Sequence, residues 1–392
     1  MMTALLIVIF LTFIGVGLPD SVLGTAWPVM HLELDLPISM AGYITSTVSA
    51  CTIVSSLMSA RLINRFGTGL VSAVSTGLTA LALLGYAINR HAVFLFLLAV
   101  PLGLGAGSID TALNNFVATH YSAARMNFLH CFYGLGVAMS PCMMSLALGD
   151  SGNWRKGYMI VAVIQLMLTM IAFLSLPLWR RVQQKDEEGQ DGESRTLSFL
   201  EMLKMPAVRA SCLAFFASCA LELCAGSWAS SYFVNARGLS ADAAAGFAMM
   251  FYIGLTLGRF VSGILAPRLG RRRLLKICLL LLLVAILVFM MPLHTTLSAG
   301  ALLLIGLGIG PVFPNLTHLT PDLFGKQVSQ SVMGAQQAAS YAGIMAMPWA
   351  FGVLAQRFSM ALLPAYLLAL FLLYAAMLMR LLQHKHDASR DA

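Results

Sequence analysis

A chain of 392 residues in which AVILMFWYC fill 59% of positions, only 10% are charged and the mean hydropathy is +0.83 cannot cover a soluble surface, which carries about 25% charged residues. These proportions exclude a nucleic-acid binder, a disordered chain and a secreted disulfide scaffold. They call for lipid as solvent, where each helical span takes ~20 apolar residues. The net charge of +8 then belongs on cytoplasmic loops, where Lys and Arg collect.

Twelve apolar segments are predicted as spans, at roughly 3–30, 37–63, 69–88, 92–118, 126–148, 156–178, 206–233, 243–265, 274–292, 296–319, 330–353 and 360–382. They are too long and too uniformly apolar for amphipathic soluble helices, and the ~10-residue alternation of a transmembrane barrel is missing. Met1 to Gly17 has no basic flank and runs on to Trp27 and Pro28 without a small-residue cleavage site. It reads as a retained first span.

With the N-terminus inside, eighteen of the 24 basic residues fall on the cytoplasmic side. Five fall opposite (Arg90, Arg155, Lys156, Arg237 and Arg357), and Arg259 lies within a span. That asymmetry puts both termini in the cytoplasm of a bacterial inner-membrane protein. The polar stretch Arg180 to Lys204, with its acidic run from Lys185 to Glu193, reads as a flexible linker. The expected organisation is a six-helix bundle over 1–179, a linker over 180–204, a second bundle over 205–383 and a cytoplasmic tail over 384–392. The seven cysteines are scattered through apolar segments without CxxC spacing and read as packing residues rather than metal ligands.

The two halves repeat at a nearly constant offset. Ser59–Gly67 falls on Ser262–Gly270, and Gly103, Gly105 and Gly107 fall on Gly306, Gly308 and Gly310, all 203 residues apart. Gly136 and Pro141 fall on Gly343 and Pro348 at 207, and Asp20 and Trp27 on Glu222 and Trp228 at 202 and 201. Repeated bundles of this kind place a substrate site near the bilayer midplane and expose it to each side in turn.

The loop after span 2, with Arg65 and Gly67, and its copy after span 8, with Gly263, Arg268, Gly270, Arg271 and Arg272, resemble the signature loop of the major facilitator superfamily. Asn64 and Pro267 stand where that pattern has an acid. A narrower resemblance is to the fucose–proton symporter group. It is carried by Gly103-Leu-Gly105-Ala-Gly107-Ser-Ile-Asp110-Thr-Ala-Leu-Asn114-Asn115 in span 4 and by Asn127, Phe132, Gly136 and Pro141 in span 5. Gly310-Pro311-Val-Phe-Pro314-Asn315 in span 10 and Gly17-Leu-Pro19-Asp20 in span 1 complete it. The resemblance implies an all-α membrane protein of two pseudo-symmetric six-helix bundles, moving a small polar solute by proton-coupled symport, with Arg65, Gly67, Arg268, Gly270 and Arg271 in gating loops.

Three acids, Asp20, Asp110 and Glu222, lie inside predicted spans. A charge at mid-membrane costs ~2.5–3.5 kcal/mol on insertion scales, so such groups face a protected interior or a water path. A low-dielectric site favours the neutral carboxyl, and a carboxyl that gains and loses a proton is what proton coupling requires. Asp110 and Asn114 share a helix face, and His130 can relay protons. Each of these four also has a plain reading as a permanently hydrogen-bonded helix residue. Amides and aromatics suit a polyhydroxylated ligand, which makes Asn114, Asn115, Trp27, Tyr133, Trp228, Tyr252, Asn315, His318, Gln336, Gln337 and Tyr341 candidate substrate residues. Helix–helix hydrogen bonding or, for the tryptophans, interfacial anchoring is the rival for each. Arg259, late in span 8, is expected to snorkel to the interface, with a salt bridge as the alternative.

No HExxH or nucleophile–base constellation argues for an enzyme, and no Walker A motif for an ATP-driven pump. A drug–proton antiporter, sodium coupling and a transport-inactive sensor of the same fold stay open. The expected partners are the bilayer and a small-molecule substrate, with no nucleic acid, metal or organic cofactor, and the protein is expected to be a monomer driven by the proton gradient.

Overall fold

Lipid cannot satisfy backbone polar groups, so a spanning segment must close its own hydrogen bonds, and a helix does so within one segment. The computed structural model describes residues 2–37, 40–151, 153–189, 196–292 and 294–388, which form helices and no strand. In chain order these are α1 (Met2–Glu33), α2 (Met40–Phe66), α3 (Thr68–Ile88), α4 (Ala92–His120), α5 (Ala123–Ser151), α6 (Trp154–Leu174), α7 (Leu176–Gly189) and α8 (Phe199–Lys204). They are followed by α9 (Pro206–Arg237), α10 (Ala241–Leu269), α11 (Arg271–Met290), α12 (Thr295–Ile309), α13 (Val312–Phe324), α14 (Lys326–Arg357) and α15 (Leu363–Ala388). Among the described residues, twelve segments are long and apolar enough to cross a membrane, α12 and α13 counting as one through Gly310 and Pro311.

By packing, the chain divides into two compact units. The first is Met1–Phe116, Leu129–Thr196 and Lys326–Gly334; the second is Val117–Phe128, Leu197–Gly325 and Ala335–Ala392. The first unit's apolar core centres on Leu83, Tyr86, Trp154 and Tyr158, with the two tyrosine rings stacked at 5.2 Å. The second centres on Phe215, Phe233, Phe251, Leu282 and Phe289.

The repeat seen in the sequence recurs in the packing. A Cβ placed on Gly103 would meet the Val48 carbonyl, and one on Gly306 the Phe251 carbonyl; Gly107 and Gly310 meet those of Thr52 and Leu255. Gly105 faces the Ser75 carbonyl and Gly308 that of Cys278. In all three pairs the glycine and its partner are both 203 residues apart. Gly136 and Gly343 likewise abut the carbonyls of Ile14 and Phe216. Small residues let helix backbones touch in lipid, where apolar burial gives no drive to associate. The two units reach the same crossing by different chemistry. In the second, Gly254 and Gly258 of α10 meet α12 backbone. In the first, α2 offers hydroxyls: Thr52 and Ser56 donate to the Gly103 and Gly107 carbonyls, and Ser55 to that of Leu104.

The loops that resemble the superfamily signature turn on glycines. Gly67 (φ 80°, ψ 154°) and Gly270 (φ 75°, ψ 147°), 203 apart, occupy a conformation open essentially to glycine alone. Gly325, between α13 and α14, does the same at φ 87°.

The polar stretch 180–204 is not a loop throughout. Pro177 ends α6 near Leu174, earlier than the expected 178, and α7 runs on to Gly189. Trp179 and Val182, three apart on one face, are buried, and Trp179 packs on Gly69 and on the Phe116 ring. That apolar face makes α7 a helix that composition had described as linker. A capping box between Ser198 and Glu201 starts α8. The end of the acidic run, at 190–195, and the last four tail residues lie outside the described residues.

Candidate functional site

In the first unit, the glycine run of α4 brings its backbone against α2 and α3, and the next turn presents Asp110 and Asn114. Both are buried, at 7% and 1% exposure. Asn114 Nδ2 donates to Asp110 Oδ1 at 2.7 Å, and His130 Nε2 lies 3.2 Å from Asn114 Oδ1. Because the Asn114 amide nitrogen is committed to Asp110, its oxygen faces the histidine, and Nε2 of His130 carries the proton of that bond. His130 is buried, and its ring meets Phe13 of α1 edge-on at 5.6 Å. The result is a directed chain, histidine to amide to carboxyl, whose donors all point toward Asp110.

One turn along α5 from His130, Tyr133 donates its hydroxyl to Asp20 of α1 at 2.5 Å. The α1–α5 crossing is held there by Gly17 against the Tyr133 carbonyl, Gly136 against that of Ile14, and Ser21 Oγ donating to the Val137 carbonyl at 2.6 Å. Asp20 is exposed on its other side, whereas Asp110 is enclosed. A single face of α5 therefore serves both Asp20 and Asp110. Asn115 is taken up as acceptor for Ser329 Oγ at 2.8 Å. Trp27 is buried in the apolar core and stacks on His31 at 5.9 Å, so its ring faces protein.

In the second unit, Glu222 of α9 accepts from Arg259 Nη2 at 3.0 Å, and Arg259 Nε reaches the Gly310 carbonyl at 3.4 Å. Arg259 is 8% exposed. It does not snorkel to the interface: its charge is satisfied inward, by a carboxylate and by the backbone where α12 passes into α13. The same contact gives Glu222 a partner inside the span. Tyr252 is exposed, with its hydroxyl over Gly226, one turn from Glu222. Trp228 donates to the Pro348 carbonyl at 3.1 Å and meets Phe351 edge-on.

Several predicted ligands are spent on holding helices together. Asn315 Nδ2 donates to the Pro311 carbonyl at 2.7 Å and Ser262 Oγ at 2.9 Å, and its amide faces that of Asn127. Gln336 donates to Ser211 Oγ at 2.6 Å and accepts from Thr320 at 3.0 Å. His318 is used at both nitrogens: Arg271 donates to Nδ1 at 2.6 Å, and Nε2 donates to the Tyr121 carbonyl at 2.7 Å. That arrangement fixes the neutral Nε2–H form. Gln337 is buried and Tyr341 half-buried on the same face of α14.

Of the loop residues, Arg65 lies over the Phe66 ring at 5.3 Å and Arg268 is exposed. Arg271 also binds Asp322 of α13 at 2.5 Å. Asp322 thus gives Arg271 the acidic partner that the loop itself lacks at Pro267. The sequence reading missed it because the two lie 51 residues apart. It also missed Glu33, which accepts from Trp154 Nε1 at 2.6 Å and pairs with Arg155. An acid at the very end of span 1, with Trp and Arg adjacent at the start of span 6, was the available signal.

The family model of the Major Facilitator Superfamily matches residues 5–348. The chain is 25% identical to the hexuronate transporter of Bacillus subtilis over 366 residues, 86% of this chain and 83% of that one. It is 24% identical to bypass of stop codon protein 6 of Saccharomyces cerevisiae, over 90% of this chain and 77% of that one. Among solved structures, the proton:xylose symporter bound to a bromodeoxyglucose superposes with a TM-score of 0.78 at 13% identity, covering 96% and 95% of the two chains. The E. coli fucose:proton symporter does so at 0.75 and 17%, covering 96% and 98%. Twelve spans, a repeated glycine-packed bundle and a match over nearly the whole length lead to one conclusion: this chain belongs to the Major Facilitator Superfamily and is a membrane transporter, not an enzyme.

Proposed function

We propose that the protein is a secondary active symporter that carries a small polar solute, a sugar or sugar acid, together with protons by alternating access, in a bacterial cytoplasmic membrane with both termini inside. The observation that carries this reading is the buried chain His130–Asn114–Asp110. An intramembrane carboxyl in a protected site is functional by default. This one is approached by a titratable imidazole through an amide that transmits the polarity of one to the other. Asp20, hydrogen-bonded to Tyr133 but open on one side, is the second carboxyl of the same reading, and Glu222, neutralised by Arg259, drops to a structural role. The hexuronate transporter and the two sugar symporters support the substrate class.

In the first unit Asn114 bears on both proton and solute, and in the second Trp228, Tyr252, Gln337 and Tyr341 remain the proposed solute ligands. Asn315, His318 and Gln336, like Asn114 and Trp228, would have to exchange existing hydrogen bonds for the solute. The test is reconstitution into vesicles carrying an internal pH probe, with pentoses, hexoses, deoxyhexoses and hexuronates offered in turn. At least one is expected to move protons into the vesicle in the absence of sodium. Proton movement opposed to lipophilic cations, with every sugar silent, would make the protein an efflux antiporter instead.

A further inference from the structure

At one end of the second unit, the start of α9 and the last turns of α15 enclose a cleft of about 380 Å³, lined by Pro206, Ala207, Arg209, Ala210, Leu213, Met377 and Arg380. Its walls are apolar apart from two arginines, and among the described residues no acidic side chain lines it. Both guanidinium groups are exposed, and among the described residues neither has an ion-pair or hydrogen-bond partner. Two like charges beside one hollow, with no counter-charge among the described residues, leave a place for an anion.

The setting identifies which anion. Pro206 is the first residue of α9, so the cleft sits where a span meets the polar boundary of the bilayer. Leu213, 43% exposed, continues from the cleft along the face of α9. The short helix α8, just before α9, leaves Phe199, Leu200 and Leu203 exposed, as befits a segment lying in the interface plane. A free inorganic anion would use the arginines and nothing else here. An anionic phospholipid would use all of it.

We propose that this cleft binds the phosphate headgroup of an anionic phospholipid between Arg209 and Arg380, with an acyl chain running along Leu213. Guanidinium forks match phosphate oxygens in pairs, and basic pockets between spanning helices are a recurrent form of lipid-headgroup site. The site lies wholly within the second unit, and no acid of the proposed proton path lines it.

Native mass spectrometry of the purified full chain, titrated with phosphatidylglycerol or phosphatidylcholine, tests this. Phosphatidylglycerol adducts should form at lower concentration than phosphatidylcholine adducts. R209Q/R380Q should weaken the phosphatidylglycerol adduct roughly 30-fold, from two headgroup-level cations. R209K/R380K, which keeps the charge but not the paired fork, should bind more tightly than R209Q/R380Q and less tightly than the wild type, and R357Q, at an arginine outside the cleft, should retain all of the binding. Among the described residues neither cleft arginine has an ion-pair partner, so the lipid-free melting temperature of R209Q/R380Q should stay near that of the wild type. Equal retention of both lipids, full phosphatidylglycerol binding by R209Q/R380Q, or displacement of the lipid by equimolar inorganic phosphate would each overturn the proposal.

Discussion

Gly306→Ala adds one methyl group to the α10–α12 crossing and probes the packing on which the second unit rests. The new Cβ would lie 2.1 Å from the Phe251 carbonyl oxygen and 2.7 Å from Leu255 N. Both are backbone atoms, so no side chain can turn aside. Carbon–oxygen contacts across helix crossings settle near 3.3–3.6 Å, so the helices must part by about 1 Å. Overpacking of this kind costs ~1–3 kcal/mol. Alanine returns up to ~1 kcal/mol in helix propensity, leaving a net loss of up to about 2 kcal/mol. Gly300, on the same helix, is the matched control: a Cβ there meets nothing within 4 Å, so Gly300→Ala should be neutral or stabilising by up to ~1 kcal/mol. Thermal unfolding of the two variants in one detergent reads the difference, and opposite signs are expected. Equal melting temperatures would mean that the crossing is looser than described and that the glycines do not set it.

The Glu222–Arg259 pair should behave as a coupled unit. Arg259→Gln leaves an uncompensated carboxylate and should cost ~3–5 kcal/mol, whereas the double variant with Glu222→Gln should recover much of that; a double-mutant cycle of unfolding energies checks it, and additive losses would deny the pairing. His318→Ala removes the acceptor of one Arg271 hydrogen bond and the donor to the Tyr121 carbonyl, for a loss of ~1–3 kcal/mol. In the same unfolding assay His318→Gln should do less harm, since an amide offers both a donor and an acceptor. Tyr133→Phe deletes one hydroxyl beside Asp20 and should cost ~1 kcal/mol in stability while altering the pH profile of uptake; an unchanged profile would separate Tyr133 from proton coupling.

The spans were legible because lipid forces long apolar helices on the sequence, and their number follows from hydropathy alone. The repeat was legible because glycines at helix crossings cannot be exchanged for larger residues without moving backbone. That is why Gly103 and Gly306 keep equivalent carbonyl partners while the residues around them differ. What escaped was pairing. The sequence shows that Arg259 lies in a span but not that Glu222, a helix away, is within 3.0 Å. It marks Asn315 and His318 as polar but cannot say that their hydrogen bonds are already filled by protein. The helix α7 escaped because its polar majority outweighed the two buried residues, Trp179 and Val182, that hold it. The Asp110–Asn114 contact, by contrast, followed from helical spacing alone.

The central claim is that Asp110 carries a proton with the solute. Asp110→Asn keeps an oxygen for the Asn114 amide while removing the titratable group, so the fold and solute recognition should survive. At 100 mV one coupled charge is worth ~2.3 kcal/mol, or roughly 50-fold accumulation. In vesicles with an imposed proton gradient, the account predicts that Asp110→Asn exchanges solute at close to the wild-type rate but no longer concentrates it. Accumulation by the variant equal to that of the wild type would contradict the account.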